Sequence, residues 1–178
     1  MFSVNRTEKF VILHVETLGY LQKESTTACL VRFDVMKVVN GEIEEKIKIF
    51  GHKDKKKIQY TNTVEKKNKA GEEENALKTS ISSALEQLYV FIGESPVVSW
   101  TNCSTIFDDF DADGESEVVF KNNERVFLAD DLELELEDFE GYIEDAFDVA
   151  ERLKIPCNRK TTEEIELIYA ILKRLEVI

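Results

Sequence analysis

The sequence predicts an α/β fold in which a mixed β-sheet has helices packed against it. Three features indicate this class: an apolar run near the start, a hairpin signal at Asn40-Gly41, and later apolar stripes of helical spacing that alternate with short strands. The predicted order is strand, hairpin, helix, strand, strand, helix, helix, so the first three strands form an antiparallel meander. A length of 178 residues suits one domain with a single core.

Three strands are predicted in the first 50 residues. Residues 9–15 are apolar without alternation, which is typical of a strand buried on both faces. Ala28–Val39 and Glu42–Phe50 flank Asn40-Gly41, a pair that favours a type I′ turn because both central residues need positive φ. The second arm alternates, with Ile43, Ile47 and Ile49 on one face and Glu44, Lys46 and Lys48 on the other. The alternation predicts that one face of the hairpin is exposed to solvent.

Residues 51–75 are polar and rich in lysine, which predicts a long exposed loop. Its basic runs, Lys53–Lys57 and Lys66–Lys69, are the local candidates for contact with phosphate groups. Lysines that are simply solvated are the plainer interpretation.

The second half of the chain alternates helices with short strands. Ala76–Ile92 has one apolar stripe and is predicted to be a helix that ends at Gly93. Short strands are predicted at Val97–Trp100 and Val126–Leu132, and alternation over Leu132–Leu136 extends the second one.

Two further helices complete the predicted fold. The apolar stripe of the first is Phe139, Ile143, Ala146, Phe147, Ala150 and Leu153. The apolar stripe of the second is Ile165, Ile168, Tyr169, Leu172 and Leu175. The second is predicted to begin at a capping box in which Thr161 accepts a hydrogen bond from the amide of Glu164.

The net charge of −13 is concentrated in one acidic segment, residues 107–148, which contain 17 acidic and two basic residues. Such a surface repels nucleic acid and suits a basic protein partner. No apolar run approaches the roughly 20 residues that span a bilayer, so no membrane association is expected. The first residues lack a secretory signal, and the cysteines Cys29, Cys103 and Cys157 are isolated. We therefore expect reduced thiols in an intracellular protein, cytoplasmic or nuclear.

Residues 109–120 open like a calcium-binding EF-hand loop, with acids at the first, third and fifth positions and glycine at the sixth. The twelfth position is Phe120 instead of the bidentate glutamate. An acidic turn is the simpler interpretation, and calcium binding stays open.

The motifs and their order resemble the DEDDh family of 3′–5′ exonucleases, which includes polymerase proofreading subunits and oligoribonuclease. The family's first strand carries Asp-x-Glu-Thr-x-Gly, similar to His14–Gly19. In this chain, CLVRFDVMKVVNGEI resembles the family's second strand and hairpin. VVSWTNCSTIFDDF resembles the family's second motif, and IPCNRKTTEEIELIYAILKRL resembles the third. The resemblance covers nearly all of residues 1–178. It implies an RNase H-like mixed sheet, with an antiparallel three-strand meander plus parallel strands, in a single domain.

In active family members, carboxylates bind two divalent metals and a histidine accepts the proton of the attacking water. Carried onto this chain, Glu16 keeps the family's glutamate, and His14 replaces the aspartate that bridges the metals. Ile106 falls on the second-motif aspartate, although a shift of two residues would place Asp108 there. Asn158 falls on the histidine base, and Glu163 on the last aspartate.

These replacements predict a site that can neither bind two divalent metals nor accept a proton from water. Imidazole suits zinc or copper, whereas magnesium and manganese prefer oxygen donors, and isoleucine binds no metal. Asparagine has no nitrogen that can accept a proton near neutral pH. His14 is equally well explained as a hydrogen-bonded core histidine, and Glu16 as a relic held by an amide or a lysine.

The resemblance therefore implies a catalytically inactive exonuclease-like domain without a cofactor, acting as a protein-interaction module in a nucleic-acid (RNA) processing complex. The acidic segment or the exposed hairpin edge would be its contact surface. The alternative is a residual 3′–5′ exonuclease on single-stranded RNA or DNA, with magnesium or manganese bound by Glu16, Asp108 and Glu163. A third interpretation is nucleic-acid binding without cleavage through the two lysine runs.

Overall fold

The structure is a computed structural model that describes six stretches of the chain, residues 8–20, 28–53, 59–60, 78–101, 123–130 and 145–178. Its strands are β1 (Lys9–Tyr20), β2 (Ala28–Val39), β3 (Glu42–His52), β4 (Gln59–Tyr60), β5 (Val97–Ser99) and β6 (Arg125–Phe127). Its helices are α1 (Ile81–Ile92), α2 (Ala146–Arg152) and α3 (Glu164–Arg174). None of these described helices is long and apolar enough to cross a membrane.

The six described strands form one mixed sheet. Its order is β3-β2-β1-β5-β6, and β4 pairs with the far end of β1. The pairs β1–β2 and β2–β3 are antiparallel, whereas β1–β5 and β5–β6 are parallel. The predicted α/β class, with an antiparallel meander and parallel strands in one sheet, is confirmed.

The turn between β2 and β3 has the predicted conformation. Asn40 and Gly41 have φ values of 49° and 77°, which are the two positive values of a type I′ turn. The hydroxyl of Tyr169 in α3 donates a hydrogen bond of 2.9 Å to the carbonyl oxygen of Gly41. The turn is therefore tied to the last helix.

A β-bulge in β3 changes the predicted faces of the hairpin. The register shifts so that Lys37 pairs with Glu45 but Val38 pairs with Ile43, which leaves Glu44 as the extra residue. Ile43 consequently leaves the face of Ile47 and Ile49, and 47% of its surface is exposed. The prediction that these three isoleucines share one face was wrong, because alternation in sequence does not reveal a bulge.

The face of the sheet that α1 covers has an apolar core, and Lys37, which lies over the Phe91 ring, and Glu45 stand at one end of it. Its buried residues from the sheet are Val11, Leu13, Val31, Phe33, Val35, Ile49 and Val97, and those from α1 are Ile81, Ala84, Leu85, Leu88 and Ile92. Gly51 allows the helix to approach closely, since a Cβ there would lie 2.8 Å from the Cβ of Ala84. Ser80 caps the start of α1 and Gly93, with φ 56°, ends it. The predicted end of this helix is confirmed, and its start lies at Ile81.

The opposite face of the sheet is covered by α2 and α3. Its apolar cluster joins Phe10, Ile12, Met36, Val38, Val98 and Trp100 to residues of both helices, among them Val149, Ile165, Ile168, Ile171 and Leu172. The predicted helix from Phe139 is present where the structure describes it, and Phe139 and Ile143 lie outside the described residues.

Several predicted boundaries differ from the structure. β1 extends to Tyr20 rather than ending at residue 15, and α1 begins at Ile81 rather than Ala76. The strand predicted at Val126–Leu132 ends at Phe127, and residues 128–130 are helical, in keeping with the helix propensity of leucine and alanine. β3 extends to His52 and β4 covers Gln59–Tyr60, both inside the range predicted to be a loop. The rest of residues 54–75 lies outside the described stretches.

The predicted capping box at α3 was also wrong. Glu163 is the N-cap residue and its side chain does not cap the helix. Thr162, not Thr161, uses its hydroxyl in this turn, where it accepts a hydrogen bond of 2.9 Å from the amide of Asn158. Because the carboxylate of Glu163 is engaged by lysines of β3, it is not available to the helix amides.

Candidate functional site

The candidate site lies where β1, β2 and β3 run side by side on the face that α3 covers. His14, Asp34 and Lys48 are direct neighbours in consecutive strands, and Glu16 lies opposite Arg32. Opposed residues of neighbouring strands point to the same face of a sheet, so these five side chains form one group. The group follows the apolar part of this face, toward the C-terminal end of β1.

Arg32 holds two carboxylates at the centre of this group. Its Nη2 donates a hydrogen bond of 2.5 Å to Oε2 of Glu16, and its Nε donates one of 3.0 Å to Oδ2 of Asp34. The Arg32 side chain is 13% exposed, so water screens these contacts only in part. A protein cation therefore lies directly on Glu16, which was predicted to be a metal ligand.

Asp34 is the most deeply buried charged residue of the group, with 2% of its surface exposed. Burial raises the pKa of its carboxyl above the ordinary value, although Arg32, Lys48 and His14 pull it down. Its Oδ1 has no hydrogen-bond partner among the described residues. A carboxylate in this position is costly unless Arg32 remains beside it.

His14 connects β1 to the first turn of α3. Its Nδ1 lies 2.9 Å from Oε1 of Glu164, and because a carboxylate can only accept, the ring nitrogen carries the proton and donates. Burial alone would lower the pKa of His14, but the hydrogen bond to Glu164 and the negative charges of Glu164, Asp34 and Glu16 raise it above its ordinary value. The arrangement favours an imidazolium, which is a cation and cannot bind a metal through this nitrogen.

Glu163 connects the start of α3 to β3. Its two carboxylate oxygens lie 2.6 Å from Nζ of Lys46 and 2.7 Å from Nζ of Lys48. Burial raises the pKa of Glu163, but the two lysines outweigh it and hold the pKa below its usual range. Lys46 also lies 2.6 Å from Glu166, and the two glutamates raise its pKa against the effect of burial. The face of β3 predicted to be solvated therefore carries ion pairs to α3.

Asn158 forms the turn that precedes α3. Its Oδ1 accepts a hydrogen bond of 2.9 Å from the amide of Lys160, and its carbonyl oxygen accepts from the amides of Thr161 and Thr162. This is the local bonding expected of an asparagine in a turn.

Several predicted features lie outside the described residues. Ile106 and Asp108, the two candidates for the second motif, are among them, as are the calcium-loop candidate at residues 109–120 and the run Lys66–Lys69. Of the cysteines, Cys157 is half-buried and packs against the α3-side core.

The described donors do not fit a pair of hard cations. Glu16 is bound by Arg32, Glu163 by two lysines, and His14 donates rather than accepts toward Glu164. In the six described stretches, no three His, Cys, Asp or Glu residues are arranged to hold a metal ion. The arrangement suits internal charge neutralisation, in which Arg32 is bound to Glu16 and Asp34, and the lysines of β3 are bound to Glu163.

Sequence reasoning identified His14, Glu16 and Glu163 but missed Arg32, Asp34 and the two lysines of β3 as parts of the site. The sequence of Val31–Val35 could have revealed Arg32 and Asp34, because both are charged residues on one face of an otherwise apolar, buried strand. Two charges on one face of a buried strand must be paired with each other or with a neighbour.

No known protein-family model matches the chain, and no curated protein matches it significantly.

Proposed function

We propose that the protein is a catalytically inactive relative of the DEDDh exonucleases, with an RNase H-like fold, that acts as a protein-interaction module in a nucleic-acid (RNA) processing complex. The antiparallel meander followed by parallel strands supports this fold, because the family resemblance implies that arrangement. The processing context rests on fold analogy.

The observation that carries the proposal is the guanidinium of Arg32 on Glu16 and Asp34. A divalent metal at Glu16 would place its charge beside the Arg32 guanidinium, and displacing Arg32 would break charge-assisted hydrogen bonds of 2.5 Å to Glu16 and 3.0 Å to Asp34. Asp34 would then be left buried without its cation, at a cost of about 2–3 kcal/mol, which is below the roughly 3–5 kcal/mol of a fully buried pair because the Glu16 side is partly exposed. The site is therefore better suited to keeping its own cation than to exchanging it for metal.

The proton-transfer role is also unsupported by the residues present. Asn158 has no basic nitrogen and its side-chain oxygen bonds within its own turn. His14 directs its Nδ1–H to Glu164, and its pKa is raised by that contact, so this nitrogen is not available to accept a proton from water.

A nuclease assay tests the inactive part of this proposal. The full chain is incubated with end-labelled single-stranded RNA and DNA in the presence of magnesium or manganese, and we expect no shortening of either oligonucleotide. The alternative of a residual exonuclease predicts stepwise shortening from the 3′ end that is lost in Glu16→Gln and retained in Glu86→Gln, an exposed glutamate on α1. That result would overturn the proposal.

A metal titration gives a second, independent reading. Calorimetry with manganese should detect no site of micromolar affinity in the wild-type chain. Saturable binding that disappears in Glu16→Gln, with the variant still folded by circular dichroism, would contradict the argument from Arg32.

A further inference from the structure

The outer edge of β3 is the feature of the fold with the clearest signs of a docking surface. β3 ends the described sheet and pairs with β2 alone in its named ladders. It is 11 residues long, whereas the average strand has about five or six. Residues 42–46 are all exposed, although Lys46 and Glu42 each reach an oppositely charged residue of α3.

The exposed part of this edge is acidic. The Glu42 side chain is 81% exposed and that of Glu45 is 53% exposed. Glu44 has no ion-pair partner among the described residues, and the nearest cation to Glu45 is Lys37 at 3.8 Å. The charge of Lys46 is directed toward α3, where it meets two glutamates.

The bulge adds an apolar contact to this acidic edge. Ile43 stands between Glu42 and Glu44 in sequence and pairs with Val38 of β2. Its surface is 47% exposed. An edge that offers one apolar side chain flanked by carboxylates matches a strand in which basic residues flank an apolar one.

We propose that Glu42–Ile47 is a docking edge for an extended, lysine- or arginine-rich segment of another protein, which adds to the sheet as a strand beside β3. This inference rests on the proposed role of the chain as an interaction module and names the chemistry of the partner. Main-chain hydrogen bonds would supply affinity, and the three glutamates would select the partner by charge.

The same features disfavour other occupants. Bulges and charged side chains are devices by which proteins discourage indiscriminate edge pairing. An uncharged strand would leave Glu44 without an ion-pair partner among the described residues, while Glu42 and Glu45 would keep only their contacts with Lys173 at 3.2 Å and Lys37 at 3.8 Å. A nucleic acid would be repelled by this acidic edge. A second copy of the chain would bring its own acidic edge, with its Lys46 already bound to α3. A basic strand is the occupant that satisfies all of these groups.

Fluorescence anisotropy with labelled peptides tests the proposal on the full chain. The probe is a seven-residue peptide that alternates lysine and valine, and the matched control alternates glutamate and valine. We expect binding of the basic peptide only, weakened at least tenfold in Glu44→Lys/Glu45→Lys. The control variant Glu86→Lys/Glu94→Lys changes the charge equally at exposed sites next to and on α1 and should retain affinity within twofold.

A backbone-modified peptide separates strand addition from charge attraction. The basic peptide with alternate amides N-methylated cannot form a ladder along one of its edges, and we expect at least a tenfold loss when the methylated edge is the one facing β3. Equal affinity of the parent and both methylated forms would overturn strand docking.

Other outcomes are equally decisive. Failure of the basic peptide to bind, or dimerisation of the chain that Glu44→Lys/Glu45→Lys abolishes, would overturn the inference. Because the nuclease assay is independent of peptide binding, failure of this inference is distinguishable from failure of the inactive-nuclease proposal.

Discussion

The two faces of β1 and β2 are built from alternate residues of the same two strands, yet they differ in chemistry. Toward α1, Val11, Leu13, Phe33 and Val35 are at most 1% exposed and form a continuous apolar surface. Toward α3, the surface begins with Phe10, Ile12, Met36 and Val38 and then changes to His14, Glu16, Arg32 and Asp34. The change occurs within one step of the alternation on each strand.

This difference shows which part of the sheet the fold depends on. Apolar burial contributes roughly 25 cal/mol per Å² without any partner requirement. The attraction within a buried ion pair is little larger than the cost of desolvating its two charges, so the pair stabilises the fold weakly. Removing one member leaves an unpaired buried charge, which destabilises the fold strongly. The apolar face should therefore supply stability, and the charged end should act as a set of interdependent groups.

The largest expected effect is on the apolar face. Phe33→Ala removes a side chain with no exposed surface and should lower the free energy of unfolding by about 3–5 kcal/mol. Urea denaturation followed by circular dichroism measures this change. Val90→Ala, at a 73% exposed position of α1, is the control and should shift stability by less than about 0.5 kcal/mol. Equal losses in the two variants would show that Phe33 is not in the core.

A somewhat smaller effect is expected at the charged end, where the interdependence can be tested directly. Arg32→Met removes the cation from Glu16 and Asp34 and should cost about 2–3 kcal/mol, because the pair is buried on the Asp34 side and partly exposed on the Glu16 side. Arg32→Met/Asp34→Leu replaces the buried pair with apolar groups and should recover most of that loss. Additive losses in the double variant would contradict the coupling of these two residues.

The smallest effect is the pH dependence of the link between β1 and α3. The pKa of His14 is raised in the folded protein, so its contribution to stability is complete below the unfolded value of about 6.5 and is lost as pH rises through the folded pKa. The urea concentration at the unfolding midpoint should therefore decrease as the pH is raised from 6 to 9. His14→Gln should flatten this part of the profile, and a wild-type midpoint that rises over the same range would refute the assignment.

Local signals predicted most of the fold. The Asn40-Gly41 turn, the end of α1 at Gly93 and the apolar β1 each depend on residues close in sequence, and all three are present. The bulge at Glu44 was missed because it depends on how β2 and β3 pair. The strand end at Phe127 was missed because the apolar run continues into Leu128 and Ala129, two residues that also favour a helix. Periodicity reports which side chains alternate, but it does not report where a register shifts.

The site was less predictable for the same reason. His14 and Glu16 were found through their spacing on one strand, whereas Arg32, Lys46 and Lys48 join them only through strand pairing and the placement of α3. The motifs identify only the predicted metal ligands, and the cations that pair with them lie elsewhere in the chain. These cations can be identified as partners only once the pairing of the strands and the position of α3 are known.

The bond between the Tyr169 hydroxyl and the Gly41 carbonyl oxygen joins positions 128 residues apart. A ribosome that adds about 5–20 residues per second takes on the order of ten seconds to travel between them. During that interval Met36 and Val38 have been synthesised but the helix that covers them has not. During translation there is therefore a delay in which the hairpin has an uncovered apolar surface, and a chaperone can bind that surface.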